Sequence, residues 1–343
     1  MDACAARRSA GYWFMRTTGA CPLTFSRSLL IRPPGTRFAF RPSDAVRPLD
    51  VAMTHNGNVK DHSAMKTIKC GLLPGESRSV VERINEPLRV YLERCLRTPV
   101  ELVVGHNYVA TGEALRRGEL DLAYLGPVTY ILQSRDADLE PFARPTHGGR
   151  IGPTFQAAII VPMNSPVQSL AQLRGGEIAM GDLVSTSGTW VPRLMLLEAG
   201  LTQDRDYVRR TLGAHDAVAA AVAERKVAAG GLSLPVFRRL LAEGRVDGES
   251  VRLLAESPPI PEYMWTFREG LDEDQRETLR EAFLDLRDPA ALRAFRAVSF
   301  IPAVDADVDR MRNWMERILQ ARIRPSVTGQ TAESPTSIAA VAG

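Results

Sequence analysis

Little in this sequence points to covalent, redox or metal chemistry. Its 343 residues include four cysteines and five histidines, and aromatic residues make up 6%. Cys4 and Cys21 lie near the N-terminus, Cys70 in an expected strand and Cys95 on an expected helix. No two have metal or redox spacing, and Cys70 and Cys95 are expected to be buried apolar thiols. Beyond residue 64 the histidines are His106, His147 and His215. His215 and Asp216 are sequence neighbours, so on a helix their side chains diverge by about 100° and cannot form a relay. No Gly-x-Ser-x-Gly elbow, His-Glu-x-x-His or P-loop lysine pattern occurs, which argues against an enzyme. No stretch approaches the roughly 18 apolar residues of a membrane span. Positive charge is also scarce outside one segment. Residues 1–64 hold nine basic and four acidic side chains, so their +5 leaves −2 for the remainder of a chain of net charge +3. The folded body therefore has no electrostatic case for nucleic-acid binding. No cofactor is implied.

What is present is alternation. Residues 67–73, 100–104 and 120–125 read as apolar strands, with a helix after the loop at 74–77 and a short one at 110–117 between them. Ile84, Leu88, Tyr91, Leu92 and Cys95 are expected to share the buried face of the first helix. A second run alternates strands at 177–180, 208–212, 227–230 and 251–255 with helices from the hydroxyl loop to about 199, at 216–224 and at 234–242. Closing helices are expected at 273–286, 289–298 and 305–319. Strand–helix–strand alternation with continuous apolar strands predicts parallel sheets covered on both faces. Ligands of such sheets bind beyond the strands' carboxyl ends. The expected division is residues 65–154 with 257–320 as one lobe and 155–256 as the other. Residues 1–64 are Arg-, Pro- and Ser-rich without periodicity and are expected to be disordered, as is a tail over 321–343. That first segment lacks the continuous apolar core of a secretory signal, and Met65 is the expected functional start.

The run Ser185-Thr186-Ser187-Gly188, with Pro192 four residues on, is the sharpest local signal. Hydroxyls at a helix start supply donors beside backbone N–H groups that lack internal partners, at the positive end of the helix dipole. Gly188 lets a ligand approach the backbone. Pro192 is tolerated only in the first turn, so the loop is expected to end near Ser187 or Thr189. His215 begins a helix after Gly213-Ala214 and can complete an anion cage as a cation or as an N–H donor, with Asp216 as the alternative N-cap. Gly126-Pro127-Val128 heads another helix and can offer backbone N–H groups. Tyr124 ends an apolar strand and is expected to pack.

These segments resemble the phosphonate, phosphite and phosphate-binding proteins of ABC importers. Gly71-Leu72-Leu73-Pro74, Asp121 to Pro127, Gly213-Ala214-His215-Asp216-Ala217, Ser257 to Pro261 and Ser299-Phe300-Ile301-Pro302 follow the family's order across about residues 66–320. The resemblance implies an α/β fold of the type II periplasmic-binding-protein kind, two Rossmann-like lobes hinged around a ligand cleft. It implies an oxyanion ligand, a membrane permease as partner, a monomer and a periplasmic location, with a cytosolic oxyanion sensor as the alternative and a pyrimidine-precursor synthase-like enzyme behind it. It assigns Ser185, Thr186 and Ser187 to the oxyanion-binding triplet and Tyr108 to ligand contact. Phe155 stands where phosphonate binders carry a hydrogen-bonding tyrosine. The two acids that hold an amine in aminoalkyl phosphonate binders are replaced by Pro235 and Tyr263, and only the neighbouring Glu262 could substitute. Lys226-Val227-Ala228-Ala229-Gly230 lacks a further acid. Phosphite, phosphate, methylphosphonate or an unrelated oxyanion is therefore expected over 2-aminoethylphosphonate.

Overall fold

The computed structural model describes residues 67–149 and 152–323. The expectations for residues 1–64, for Met65 and for the chain beyond 323 lie outside them.

The chain opens with β1 (Ile68–Leu72), α1 (Arg78–Leu96), β2 (Val100–Val104), α2 (Tyr108–Arg116), β3 (Leu122–Leu125), α3 (Pro127–Gln133) and β4 (Glu140–Thr146). A short β5 (Thr154–Phe155) leads into β6 (Ala157–Pro162), β7 (Glu177–Gly181), α4 (Val191–Glu198), β8 (Val208–Gly213) and α5 (His215–Ala223). Then come β9 (Ala229–Ser233), α6 (Leu234–Ala242), β10 (Val251–Glu256) and the short β11 (Ile260–Pro261). The chain closes with β12 (Met264–Phe267), α7 (Glu273–Leu284), α8 (Pro289–Arg293), β13 (Ser299–Pro302) and α9 (Asp309–Ile323). α9 thus runs into the segment expected to be a tail.

Two sheets result, ordered β13-β4-β12-β3-β1-β2 and β10-β6-β9-β7-β8. Neither is wholly parallel as the alternation suggested. β1 runs parallel to β2 and β3, and β7 parallel to β8 and β9. β12 runs antiparallel to β3, however, and β6 antiparallel to β9. The register gives the reason. β12 begins at Met264 opposite Leu125, the last residue of β3, and β6 begins at Ala157 opposite Ser233, the last of β9. Each crossover therefore enters its sheet at the carboxyl ends of the parallel strands and has to run the other way. The two crossovers lie side by side, joined by β5–β11 pairing (Ile260 with Phe155, Pro261 with Thr154). Ser257 ties them further, its N–H donating to Ala157 O and its Oγ accepting from Ala157 N.

α1 shows how packing set the helix faces. Its buried residues are Val80, Val81, Asn85, Leu88 and Leu92. Burying leucines of this kind contributes about 1.5–3 kcal/mol each. The apolar stripe is rotated from the expected one because Asn85 joins it. Its Nδ2 donates to Val81 O at 2.8 Å, which satisfies a polar group inside the core. Ile84 then faces a cavity instead, and Cys95, expected to be buried, is exposed. Cys70 is buried, and burial pushes its thiol pKa up. α9 packs against α4 and α3.

Candidate functional site

The carboxyl ends of β1, β3, β7 and β9 and the start of α5 converge between the sheets. From β7 the chain turns at Asp182 and enters a wide helical turn, Thr186–Trp190, that precedes α4. Ser185 is its N-cap, with Oγ accepting from Gly188 N at 3.1 Å. The helix thus starts earlier than Pro192 suggested. Pro192 does lie in the first turn of the regular helix, but the wide turn is inserted ahead of it. Thr189 Oγ1 donates to Asp182 O at 2.7 Å and pins the turn to the strand end.

The three hydroxyls have three different fates, although all are buried. Ser185 caps. Thr186 Oγ1 accepts from Val128 N, on α3 of the other lobe, at 3.0 Å. The backbone N–H expected to serve a ligand beside Gly126 and Pro127 is thereby engaged across the cleft. Ser187 Oγ has no hydrogen-bond partner. An orphaned hydroxyl at full burial costs about 1–3 kcal/mol, which makes Ser187 Oγ a candidate donor to a ligand. Gly188 N is taken by the Ser185 cap, while the N–H groups of Thr186 and Ser187 precede any acceptor within the helix.

His215 opens α5 with Ala214 as N-cap, and Asp216 is not the cap. Asp216 instead pairs with Arg245 at 2.9 Å and accepts from Ser77 N. The imidazole tautomer follows from its neighbour. Ser233 N donates to Nδ1 at 3.3 Å, so Nδ1 carries the lone pair and the proton sits on Nε2. Burial lowers the pKa of His215 to about 4, which removes the cationic alternative and leaves a neutral N–H donor. Its ring edge lies between two glycines. A Cβ on Gly188 would meet Cε1 at 2.9 Å, and one on Gly75 would meet Cδ2 at 3.8 Å. Only glycine at 188 allows this approach.

Tyr108 and Tyr263 bring two phenols to the same point. They interact with each other and with Ser185, and Tyr263 lies beside Ser187. Burial raises the pKa of both, that of Tyr263 to about 12, so both remain protonated donors. A Cβ on Gly75 would come 3.0 Å from the Tyr108 hydroxyl, and one on Gly126 would come 2.9 Å from the Tyr263 ring and 3.2 Å from Thr186 Oγ1. Phe155 meets Tyr263 edge-on at 5.7 Å. Ser185, Thr186, Ser187, Gly188, His215, Tyr108, Gly126 and Phe155 are thus assembled within one neighbourhood, with Pro127 opening α3 beside them. Tyr263, read from the sequence only as a lost acid, contributes a donor of its own.

An adjoining cavity of about 450 Å³ is lined in part by Tyr108, Phe155, His215, Pro235, Tyr263 and Glu262. Tyr124 also lines it while packing on Tyr263, Trp265 and Phe295 with ring centroids 5.0–5.4 Å apart. Glu262 is buried, and its carboxylate is already balanced. His147 Nε2 donates to it at 3.0 Å and His147 Nδ1 donates to Arg296 O at 3.0 Å. A carboxylate and a carbonyl accept only, so both ring nitrogens carry protons and His147 is the imidazolium. The Glu262 hydrogen bond raises its pKa accordingly. Arg296 adds a second cation at 3.7 Å from Glu262. Nothing local in the sequence joins His147 to Glu262.

The lobes meet across this site. Tyr108 N donates to Asp182 Oδ2 at 3.0 Å, and His215 N to Gly75 O at 3.0 Å. Buried Glu76, from the loop after β1, pairs with Arg239 of α6 and, at 3.1 Å, with Arg245.

The family model for periplasmic substrate-binding proteins of phosphonate ABC transporters matches residues 70–308. The chain belongs to this family. Its members are periplasmic binding components of importers, and this chain is a substrate-binding protein of that type. Curated relatives include the phosphate-import protein PhnD of Mycolicibacterium smegmatis, 22% identical over 72% of this chain and 84% of the relative. Another is a probable ABC transporter phosphite binding protein, PhnD1 of Prochlorococcus marinus, 23% identical over 69% of this chain and 85% of the relative. The fold matches the solved structure of PhnD1 from Prochlorococcus marinus in complex with methylphosphonate, with a TM-score of 0.68 and 22% identity, covering 74% of this chain and 99% of that one. It also matches a binding protein of an ABC phosphonate transporter from Pseudomonas aeruginosa, with a TM-score of 0.70 and 20% identity, covering 76% of this chain and 88% of that one. These structures establish the two-lobed periplasmic-binding-protein fold.

Proposed function

We propose that the chain captures a phosphite, phosphate or phosphonate group between its lobes and delivers it, as a periplasmic monomer without catalytic activity, to a membrane permease. The observation that carries this reading is the buried cage of neutral donors around the orphaned Ser187 hydroxyl. We assign Ser187 Oγ, the Tyr108 and Tyr263 phenols, His215 Nε2–H and the N–H groups of Thr186 and Ser187 as the donors of this cage. Ser185 and Thr186 accept hydrogen bonds, yet each retains a proton to donate. A helix start with several donors favours an anion without a counter-cation. Phe155 presents an apolar face in the same wall and suits the P–H or P–C side of a ligand better than a fourth oxygen.

The amine half of an aminoalkyl phosphonate has no place. Pro235 and Tyr263 carry no negative charge, and Glu262 is held by His147 and Arg296. Burying an unpaired ammonium costs several kcal/mol. Calorimetry is expected to show phosphite and methylphosphonate binding at least about tenfold tighter than 2-aminoethylphosphonate, a difference of about 1.4 kcal/mol. Tightest binding by 2-aminoethylphosphonate would mean that Glu262 is released to hold the amine.

A further inference from the structure

The cavity of about 450 Å³ adjoins the cage, sharing Tyr108, His215 and Tyr263 with it but not the Ser185–Gly188 turn, and its unspent charge is positive. Space for a further part of a ligand therefore lies beside the cage. That space is walled by Ile84 and Pro87 of α1, Val236 of α6, and Ala290 and Ala294 at α8. Arg83 and Arg293, both exposed, also line the cavity.

The charges along this wall sort into spent and unspent. Glu76 is paired with Arg239 and Arg245, Glu243 with Arg239, and Glu262 with His147 and Arg296. Arg83 and Arg293 form no ion pair among the described residues. Two arginines from different helices thus border the largely apolar part of the cavity that adjoins the cage. A guanidinium presents a fork of N–H donors matched to a carboxylate.

Resting on the oxyanion reading above, we propose that the substrate class is a phosphonate with an uncharged carbon stem ending in a carboxylate. The phosphonate sits in the cage, the stem lies along the α1–α8 wall, and the carboxylate meets Arg83 and Arg293. An ammonium at the same end would face these two cations with no free acid nearby.

Paired probes of equal length test this, 3-phosphonopropionate against propylphosphonate, with methylphosphonate reporting on the cage alone. By calorimetry, 3-phosphonopropionate is expected to bind at least tenfold tighter than propylphosphonate. That ratio is expected to fall towards one in an Arg83→Gln/Arg293→Gln protein and to shrink as salt is raised. Both arginines are exposed, so the melting temperature should hold and separate this loss from misfolding. Equal affinity for the two probes, or a ratio that survives the double substitution, overturns the carboxylate assignment. If methylphosphonate still binds in that case, the oxyanion cage stands. If no probe binds and Ser187→Ala changes nothing, the cage and the tail assignment fall together.

Discussion

At the scale of single residues, neighbouring hydroxyls of one short run have different physical jobs, and substitutions should separate them. Ser187 Oγ is buried with only the Tyr263 phenol beside it, so Ser187→Ala removes little from the unliganded fold. Its affinity for methylphosphonate is expected to fall about tenfold or more by calorimetry, with a nearly unchanged melting temperature. Ser185 caps the turn, so Ser185→Ala is expected to lower stability as well, by about 1 kcal/mol in denaturant titration. His215 carries a pH signature. Its ordinary pKa of 6.5 falls to about 4 in the folded chain. Between those values the unfolded chain binds a proton that the native chain does not, so stability is lost as pH falls through that window. The difference in unfolding free energy between the parent and His215→Gln is expected to shrink from pH 6.5 towards pH 4, because the glutamine removes that penalty. A difference independent of pH would show that His215 is not buried as a neutral ring.

At the scale of elements, the wide turn ahead of α4 and the start of α5 form a coupled pair. Gly188 is the point of closest approach, where a Cβ would meet His215 Cε1 and Ser185 Oγ, each at 2.9 Å. Gly188→Ala is expected to push the imidazole from Ser233 N, weakening oxyanion binding about tenfold or more while leaving far-ultraviolet circular dichroism unchanged. An unperturbed His215 ring signal in this variant would show that the two elements move independently. Much of this was legible in the chain order. Ser185 to Gly188 and His215 stand at strand-to-helix transitions, where parallel strands deliver donors. The wide turn was not legible, because Pro192 is compatible with a first turn whether or not another turn precedes it. Tyr263 was also hidden, since in the sequence it stands only as the replacement of an acid until its hydroxyl is seen beside Ser187 and Tyr108.

At the scale of the whole molecule, closure is a property of charge pairs that bridge the lobes. Glu76 reaches Arg239 and Arg245, and Arg245 also holds Asp216. Breaking a buried pair on one side is strongly unfavourable, because it strands the remaining charge. Small-angle scattering is expected to show a smaller radius of gyration with saturating methylphosphonate than without it. Glu76→Gln is expected to enlarge the unliganded form and weaken binding several-fold. Tight binding with unchanged dimensions would count against hinge closure.

The sequence alone determined what is local or repeated. Apolar runs specified most of the strands, helical spacing specified the helices, and the order of short motifs from Gly71 to Pro302 carried the family. Backbone hydrogen bonding and side-chain periodicity act over a few residues, so they can be read along the chain. The tertiary structure alone decided what depends on contacts between distant segments. The antiparallel entry of β6 and β12 is imposed by crossovers arriving at the cleft, a constraint no single strand displays. The raised pKa of His147 is set by Glu262, 115 residues away. The tautomer of His215 is set by the Ser233 backbone N–H on a neighbouring strand end. Each of these is an electrostatic or packing choice between groups that only folding brings within bonding distance.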